Sequence, residues 1–431
     1  MKKVVKKIAL LLLVFGIGVG VTLLYTYNKY KVYEEENPKQ IKKHVDTISM
    51  MLETEANSGN YELTTRESWP TDGYVFNATL SKCENGGELS WDDTNKRVVM
   101  SGNVSDKCYV YFDVYVPPTI ADFCNSGDTL TTCVKNFGNQ GTDMSNIYIH
   151  NSGLTNGAGD NSYRYAGASE VVNNFVCFGT NTTPCPTDNL YRIIGVFDGK
   201  VKLIKYDYAN SNLLGTDGDY RTNTYSKSDY STYKGELTTI NTYYWNYKND
   251  TSINNGHGSN EWSTSLFNKT NLNTNYLNKI GTTWSNLIED TTWKVSGHST
   301  RDVTPKAMYT AEIINATKTY GPENGTSKIG LMYVSDYGFA AAPSAWASNM
   351  SSYNSSSITS VNWMYMGLLE WTITPRSSSS SIVLGLSYSG HLNASNYADN
   401  GNGGRPVLYL KASVAYAGGS GTKDSPITLV V

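Results

Sequence analysis

The stretch Trp363–Leu410 reads WMYMGLLEWTITPRSSSSSIVLGLSYSGHLNASNYADNGNGGRPVLYL, and the interpretation of the whole chain starts from it. Its apolar runs, such as Ile382–Leu386, have the length and the flanking turn residues of short buried strands. Loops of small, polar and aromatic residues lie between these runs. The pattern predicts a rigid frame that presents variable loops to a ligand.

Within this stretch, Trp363, Trp371 and Arg405 are expected to form the structural frame. Large aromatic side chains dominate core energetics, and the guanidinium fork of arginine suits fixing backbone carbonyls or a carboxylate. Binding residues concentrate on loops. The candidate ligand-binding residues are therefore Ser377, Ser379, Tyr388, His391, Asn393, Asn396, Tyr397 and Asn400. Neutral drift on a solvent-facing edge would also produce such Ser and Asn runs.

The composition narrows the function classes. The formal net charge of −3 argues against a nucleic-acid partner, which would require a basic face. The chain has 33 Tyr and 38 Gly residues, a mixture that suits a β-rich protein with long surface loops. We predict an α+β, β-rich fold with a transmembrane helix, a stalk helix, a small antiparallel β module and a large C-terminal domain.

The N-terminal segment resembles a signal anchor. Four lysines precede the apolar run 8–24, and the following aromatic residues extend the predicted span to residues 8–27. A cleaved signal peptide is the alternative, but no small-residue cleavage site follows. The expectation is a single-pass cell-membrane protein with residues 1–7 in the cytoplasm and the bulk outside. Gly16 and Gly20 could support self-association of this helix.

Residues 28–58 are predicted to form a stalk helix. Asn37 and Pro38 provide a cap and a first-turn proline, and the apolar residues Ile41, Val45 and Ile48 follow at helical spacing. This stripe could pair with a second copy of the chain or lie on the next domain. Short β-type runs then indicate a small β module over residues 59–118, including an alternating run at Cys108–Val116.

The cysteine pattern predicts disulfides. All six cysteines fall between residues 83 and 185, no Cys-x-x-Cys motif is present, and an even number suits an oxidising compartment. Six cysteines allow fifteen connectivities, of which we prefer the pairing of neighbours. The predicted pairs are Cys83 with Cys108, Cys124 with Cys133, and Cys177 with Cys185.

Residues 119–431 are expected to form one large domain. Asp198-Gly199 between two apolar runs predicts a β-hairpin. Apolar residues at helical spacing predict one or two helices over 262–280, and Lys328–Val334 is expected to be a buried strand.

A set of motifs in this domain carries a family resemblance. In order they are Tyr191–Val196, the 262–280 helix, Gly330–Asp336, Glu370–Pro375, Gly404–Val407 and Gly418–Pro426. They resemble Gram-positive gut-bacterial surface proteins of uncharacterised function, whose C-terminal domain is similar to the C-type-lectin-like fold. That fold also occurs in formylglycine-generating-enzyme-like domains and in receptors diversified by retroelements. The resemblance covers a core of about residues 145–416.

The resemblance implies adhesion or ligand capture, with a glycan or a protein as the ligand. Two departures qualify it: no cysteine follows Cys185, so formylglycine-type oxidation is not implied, and Gly404 replaces the usual apolar residue before Arg405. An enzyme of the same fold, or a hydrolase, is the alternative function, and a pilin-like structural subunit is the third.

The chain offers few residues for chemistry. The histidines lack partners at zinc-ligand spacing, and no Gly-x-Ser-x-Gly motif is present, so no catalytic or metal residue is predicted. Calcium could use the oxygen atoms of Asp217-Gly-Asp219 or of Asn396–Asn400. Asx turns explain the same residues without a metal.

Overall fold

The computed structural model describes residues 48–102, 106–225, 238–246, 256–316 and 324–431. Two units make up the chain, Met1–Pro117 and Pro118–Val431. The division falls one residue before the predicted boundary between residues 118 and 119.

The first unit is built around one central strand. In β7 the side chains of Cys108, Val110 and Phe112 alternate with more exposed ones and are fully buried. β7 pairs in parallel with β1 and antiparallel with β3 and β4, whereas β5 and β6 form a separate hairpin. The strands are β1 (Ile48–Glu53), β2 (Tyr61–Leu63), β3 (Tyr74–Phe76), β4 (Lys82–Cys83), β5 (Glu88–Asp92), β6 (Arg97–Ser101) and β7 (Cys108–Val114).

The predicted stalk helix is wrong where it can be compared with the structure. Ile48–Glu53 is strand β1, and Ile48 is paired with Cys108 and Leu52 with Phe112. Apolar residues four positions apart, such as Ile48 and Leu52, lie on one face in a helix and also in a strand. The pairing with β7, which is distant in the chain, favours the strand. The earlier part of the predicted stalk lies outside the described residues.

The predicted membrane span also requires a correction. Among the residues that the structure describes, no helix has both the length and the apolar character needed to cross a membrane. This finding contradicts the predicted fold class, which included a transmembrane helix, and the predicted single-pass localisation. The segments on which those predictions depended, residues 1–7 and 8–27 with the self-association motif, lie outside the described residues.

The second unit is β-rich with short helices. Its strands are β8 (Ile147–Ile149), β9 (Tyr163–Tyr165), β10 (Phe175–Cys177), β11 (Leu190–Phe197), β12 (Lys200–Lys205), β13 (Asp219–Tyr225), β14 (Thr238–Tyr243), β15 (Thr291–Lys294), β16 (Asn324–Ser327), β17 (Ile329–Gly330), β18 (Glu370–Pro375), β19 (Ile382–Leu386), β20 (Leu392–Tyr397), β21 (Val407–Tyr409), β22 (Tyr416–Gly418) and β23 (Thr428–Leu429). Its α-helices are α1 (Leu130–Gly138), α2 (Thr142–Ser145), α3 (Ser211–Leu214), α4 (Leu277–Ser285), α5 (Pro305–Tyr309), α6 (Val334–Ala340) and α7 (Ser356–Thr359).

A seven-stranded sheet organises this unit. Its strand order is β17-β21-β12-β11-β9-β8, and β10 also pairs with β11. The β11–β12 hairpin turns at Asp198 and Gly199, which have φ values of 47° and 77°. Two positive φ values in a two-residue turn match the right-handed twist of the flanking strands, so the predicted hairpin is present.

Two predicted elements differ in detail. The segment 262–280 is largely helical, with a 3-10 turn at Trp262–Thr264, a π-helix at Phe267–Tyr276 and then α4. Of the predicted strand Lys328–Val334, only Ile329–Gly330 is a strand, β17, which pairs with β21. The reason is that α6 begins at Val334, where Asp336 accepts a hydrogen bond from the backbone N–H of Tyr333 (2.9 Å).

The stretch Trp363–Leu410, called the opening stretch below, contains a three-stranded antiparallel sheet of β18, β19 and β20. Trp363 and Trp371 are buried, and their indole N–H groups donate to the carbonyl oxygens of Tyr165 (2.9 Å) and Tyr243 (2.8 Å). These bonds join the stretch to distant strands. The two tryptophans therefore connect this small sheet to the rest of the unit.

Three disulfides join neighbouring cysteines in the described residues. Cys83 bonds to Cys108, Cys124 to Cys133, and Cys177 to Cys185, which is the predicted pairing. The first staples β4 to β7 in the first unit. The other two lie in the second unit.

Candidate functional site

The predicted ligand-binding residues do not converge on one place. Tyr388 and His391 lie at the turn between β19 and β20, whereas Ser377 and Ser379 lie at the turn between β18 and β19. The five residues of β19 separate the turns by roughly 15 Å, at about 3.3 Å per residue. Strand register places Tyr397 beside Ile382, at the same end as the serines.

Several of these side chains have local structural partners. Ser379 Oγ accepts hydrogen bonds from the N–H groups of Ser381 and Ile382, each at 3.2 Å. Asn393 Nδ2 donates to Asn396 Oδ1 (3.1 Å), and Asn396 is buried. These polar residues close turns, as Ser and Asn side chains commonly do. Their role in binding stays a prediction.

The most exposed predicted residues are two tyrosines. The exposed fractions are 58% for Tyr388 and 38% for Tyr397. The Tyr397 ring stacks on the His257 ring with centroids 3.9 Å apart, and His257 Nδ1 lies 3.3 Å from Asp399 Oδ1. Tyr388 therefore remains the loop candidate that offers the largest surface to a ligand.

The described residues that could serve as metal ligands have other partners in the structure. In the described part of the chain, the clusters of His, Cys, Asp and Glu at ligand spacing are Cys83–Asp106–Cys108 and Cys124–Asp128–Cys133. Their cysteines form disulfides, and a disulfide sulfur is no thiolate ligand. The predicted calcium oxygens at Asp217 and Asp399 face Asn275 and His257.

A groove at one end of the central sheet has the size of a small-ligand site. Its volume is about 550 Å³, within the range of roughly 300–1,000 Å³ that is typical of ligand pockets. It combines an aromatic wall with hydroxyl, amide, carboxylate and ammonium groups from distant segments. The lining residues are Ser169, Glu170, Asn173, Phe175, Tyr206, Ser360 and Lys423.

The aromatic wall of the groove is held firmly. Phe175 in β10 and Tyr206, directly after β12, make an edge-to-face contact with centroids 5.3 Å apart. The buried Arg192 guanidinium lies 4.4 Å from the Phe175 centroid, and it donates to Asn174 Oδ1, Ser169 Oγ and Val172 O. This arginine therefore supports both the ring and the loop that carries the polar lining.

The position of Lys423 in the groove depends on one glycine. The carbonyl oxygen of Gly421 accepts from the N–H of Phe175 (2.8 Å), which draws the loop of Lys423 against β10. Gly421 has φ of +80°, and a Cβ there would lie 2.7 Å from Asn173 O. Only glycine allows this approach without a shift of the backbone. The Lys423 ammonium lies 5.2 Å from the Tyr206 centroid.

A second polar cavity, of about 120 Å³, contains a cluster of buried charges. Lys202 Nζ lies 2.5 Å from Asp336 Oδ2, and Arg164 Nη2 donates to Asp160 Oδ2 at 2.7 Å. Arg164 Nη1 is 3.8 Å from Asp336 Oδ1. The cluster therefore forms one connected network at the centre of the sheet.

Burial shifts the proton affinities of this network. It lowers the pKa of Lys202, against the opposing effect of Asp336, and it raises the pKa of nearby Glu312 to about 7. The pKa of Asp160 is lowered to about 2: burial raises it, but the Arg164 charge and the bonds from Ser162 outweigh that effect. Such shifted pKa values arise where the fold holds charged groups in a buried place despite the cost of removing them from water.

Sequence reasoning missed both of these places. The groove combines residues that lie up to about 250 positions apart, and no local motif connects them. The charged cluster had one local signal, since Lys202 interrupts an apolar run whose neighbours are buried. No family model, curated protein or solved structure matches this chain.

Proposed function

We propose that this protein is a ligand-binding protein, and that its groove binds an uncharged saccharide. The observation that carries the proposal is the groove itself, in which an aromatic wall stands beside clustered polar groups. A sugar ring has apolar C–H faces and a rim of hydroxyl groups. An aromatic ring suits the face, and side chains that donate or accept hydrogen bonds suit the rim.

The charges of the lining favour a neutral ligand. Glu170 contributes one negative charge and Lys423 one positive charge, so the groove has no net charge to attract an ion. The carboxylate of Glu170 accepts hydrogen bonds, the ammonium of Lys423 donates them, and Asn173 does both. This combination matches hydroxyl groups, each of which both donates and accepts.

The experiment is a titration of the full chain with a panel of neutral mono- and oligosaccharides, followed by saturation-transfer NMR and calorimetry. We expect at least one saccharide to bind. Tyr206→Ala should weaken that binding by about 1 kcal/mol, roughly fivefold in Kd, because the ligand loses its aromatic contact.

The matched control is Tyr388→Ala. Tyr388 is the exposed tyrosine of the predicted loop surface, and it is not part of the groove. The Tyr388→Ala variant should bind the saccharide with the same Kd as the unaltered protein. If Tyr388→Ala abolishes binding while Tyr206→Ala leaves it intact, the loops bind the ligand and the groove proposal is wrong. An absence of binding to every saccharide in the panel would also contradict it.

A further inference from the structure

The contact between Lys202 and Asp336 differs from the surface ion pairs of this chain. The side chains are only 1% and 2% exposed, and Nζ lies 2.5 Å from Oδ2. By contrast, the side chains of the Lys96–Asp93 pair are 52% and 82% exposed. The two buried residues are 134 positions apart and join β12, inside the central sheet, to the first turn of α6.

Aromatic rings surround the amine. The centroids of Tyr333, Tyr409, Phe197 and Trp293 lie 4.5, 5.3, 5.4 and 5.7 Å from Lys202 Nζ. These rings pack around the amine, and the small polar cavity borders both Lys202 and Asp336. The amine is thus held against a carboxyl group, and both side chains have almost no exposure to bulk solvent.

Burial works against the charged form of Lys202. Separated charges lose their hydration on burial, so transfer of one proton from the ammonium to the carboxylate becomes accessible. The lowered pKa of Lys202 has the same cause. Glu312, electrostatically coupled to both groups and with its pKa raised to about 7, is a nearby carboxyl that exchanges protons near neutral pH.

From this geometry we propose that Lys202 and Asp336 condense to an intramolecular amide cross-link. Once the proton has moved, the lone pair of Nζ attacks Cγ of Asp336, and a C–N bond forms. The bond from Cγ to Oδ1 breaks, and Oδ1 leaves as water with two protons, the one first transferred from the ammonium and one more from the amine nitrogen. The products are one amide and one water molecule. No atom is oxidised or reduced, so the step needs no co-reactant.

Neighbouring groups fit the charge that develops in this step. The backbone N–H of Tyr333 donates to Asp336 Oδ2 (2.9 Å), where negative charge accumulates as the amine adds. The Arg164 guanidinium stands 3.8 Å from Oδ1, on the side of the leaving oxygen. The cavity of about 120 Å³ has room for the released water, which occupies about 30 Å³ in the liquid.

The test is mass spectrometry of the full chain after the disulfides have been reduced. The intact mass should be lower than the sequence mass by one water molecule. A proteolytic digest should contain a branched peptide that joins the segment of Lys202 to the segment of Asp336. Lys202→Arg, which keeps the charge but cannot form this amide, should have the full sequence mass.

Lys205→Ala is the matched control, because Lys205 is a second buried lysine of β12 and lies 3.9 Å from the exposed Asp188. This variant should retain the loss of one water. If the folded, unaltered protein has its full sequence mass and yields separate peptides for Lys202 and Asp336, the proposal is wrong. The digest of the unaltered protein decides this even if the variants fold poorly.

Discussion

At the scale of single residues, the ion pair of Glu370 and Arg405 connects the opening stretch to itself. Arg405 Nε donates to Glu370 Oε1 (2.6 Å), and Nη2 donates to Oε2 (3.1 Å) and to the carbonyl oxygen of Met364 (2.9 Å). Both side chains are 1% exposed. Burial raises the pKa of Glu370 despite the opposing charge of Arg405, and Arg405 is the main group that favours the carboxylate.

Removal of Arg405 alone should therefore be costly. We expect Arg405→Met to lower the free energy of unfolding by about 3–5 kcal/mol, because it leaves a buried carboxylate without its counter-charge. Urea unfolding followed by tryptophan fluorescence measures this change. The double variant Arg405→Met/Glu370→Leu should recover part of the loss. A single variant as stable as the unaltered protein would show that the pair contributes no such coupling.

At the scale of elements, the β11–β12 hairpin depends on its turn. Gly199 has φ of 77°, and a Cβ at this position would meet no atom within 4 Å. The conformation of the backbone, and not crowding, is therefore what favours glycine here. β11 and β12 lie in the middle of the seven-stranded sheet, so strain at this turn acts on the central strands.

Gly199→Ala should lower the free energy of unfolding by about 1–2 kcal/mol, because an L-residue with a Cβ is strained in the left-handed region. The control is Gly418→Ala in β22, where φ is outside that region and the nearest contact of a Cβ is ordinary, at 3.7 Å. Thermal unfolding of both variants compares them. Equal losses in the two variants would contradict the explanation from backbone strain.

Some elements of the fold could be predicted from the sequence, and others could not. The Asp198-Gly199 turn and the pairing of neighbouring cysteines were predictable because each involves residues close in the chain. The strand at Ile48–Glu53 was not, because its apolar spacing also fits a helix and its partner strand is about sixty residues away. Long-range pairing overrides local preference at such positions.

The candidate site lay beyond sequence reasoning for a related reason. The exposed loops of the opening stretch were visible as Ser and Asn runs, but the structure places them at two ends of a small sheet. The groove needs Phe175, Tyr206 and Lys423 together, and only the order of strands in the folded sheet brings them to one wall. Spacing along the chain carries no signal of that order.

At the scale of the whole molecule, the described parts of the two units have cores of very different size. Among the described residues of the first unit, the main cluster has three buried apolar side chains, Met50, Val110 and Phe112, with partly buried rings and aliphatic groups around them. The second unit buries dozens of apolar residues. A small core needs a covalent staple more than a large one does.

Loss of the Cys83–Cys108 disulfide should consequently affect the first unit strongly. The bridge spans 25 residues, for which the chain-entropy relation predicts about 3.5 kcal/mol, against about 2.5 kcal/mol for the 8 residues of Cys177–Cys185. The double variant Cys83→Ser/Cys108→Ser should make this unit sensitive to trypsin at temperatures where the unaltered protein resists. The matched control, Cys177→Ser/Cys185→Ser, should leave cleavage within residues 48–117 unchanged. Greater sensitivity of that segment in the control would contradict the prediction.

The position of β21 has a consequence for biosynthesis. This strand, Val407–Tyr409, lies between β17 and β12 in the central sheet. A ribosome that has made β8 to β12 has therefore produced a sheet whose β12 edge stays open for about another two hundred residues. The nascent chain must expose that edge until Tyr409 emerges, and its exposed strand is a target for chaperones or for pairing with other nascent chains.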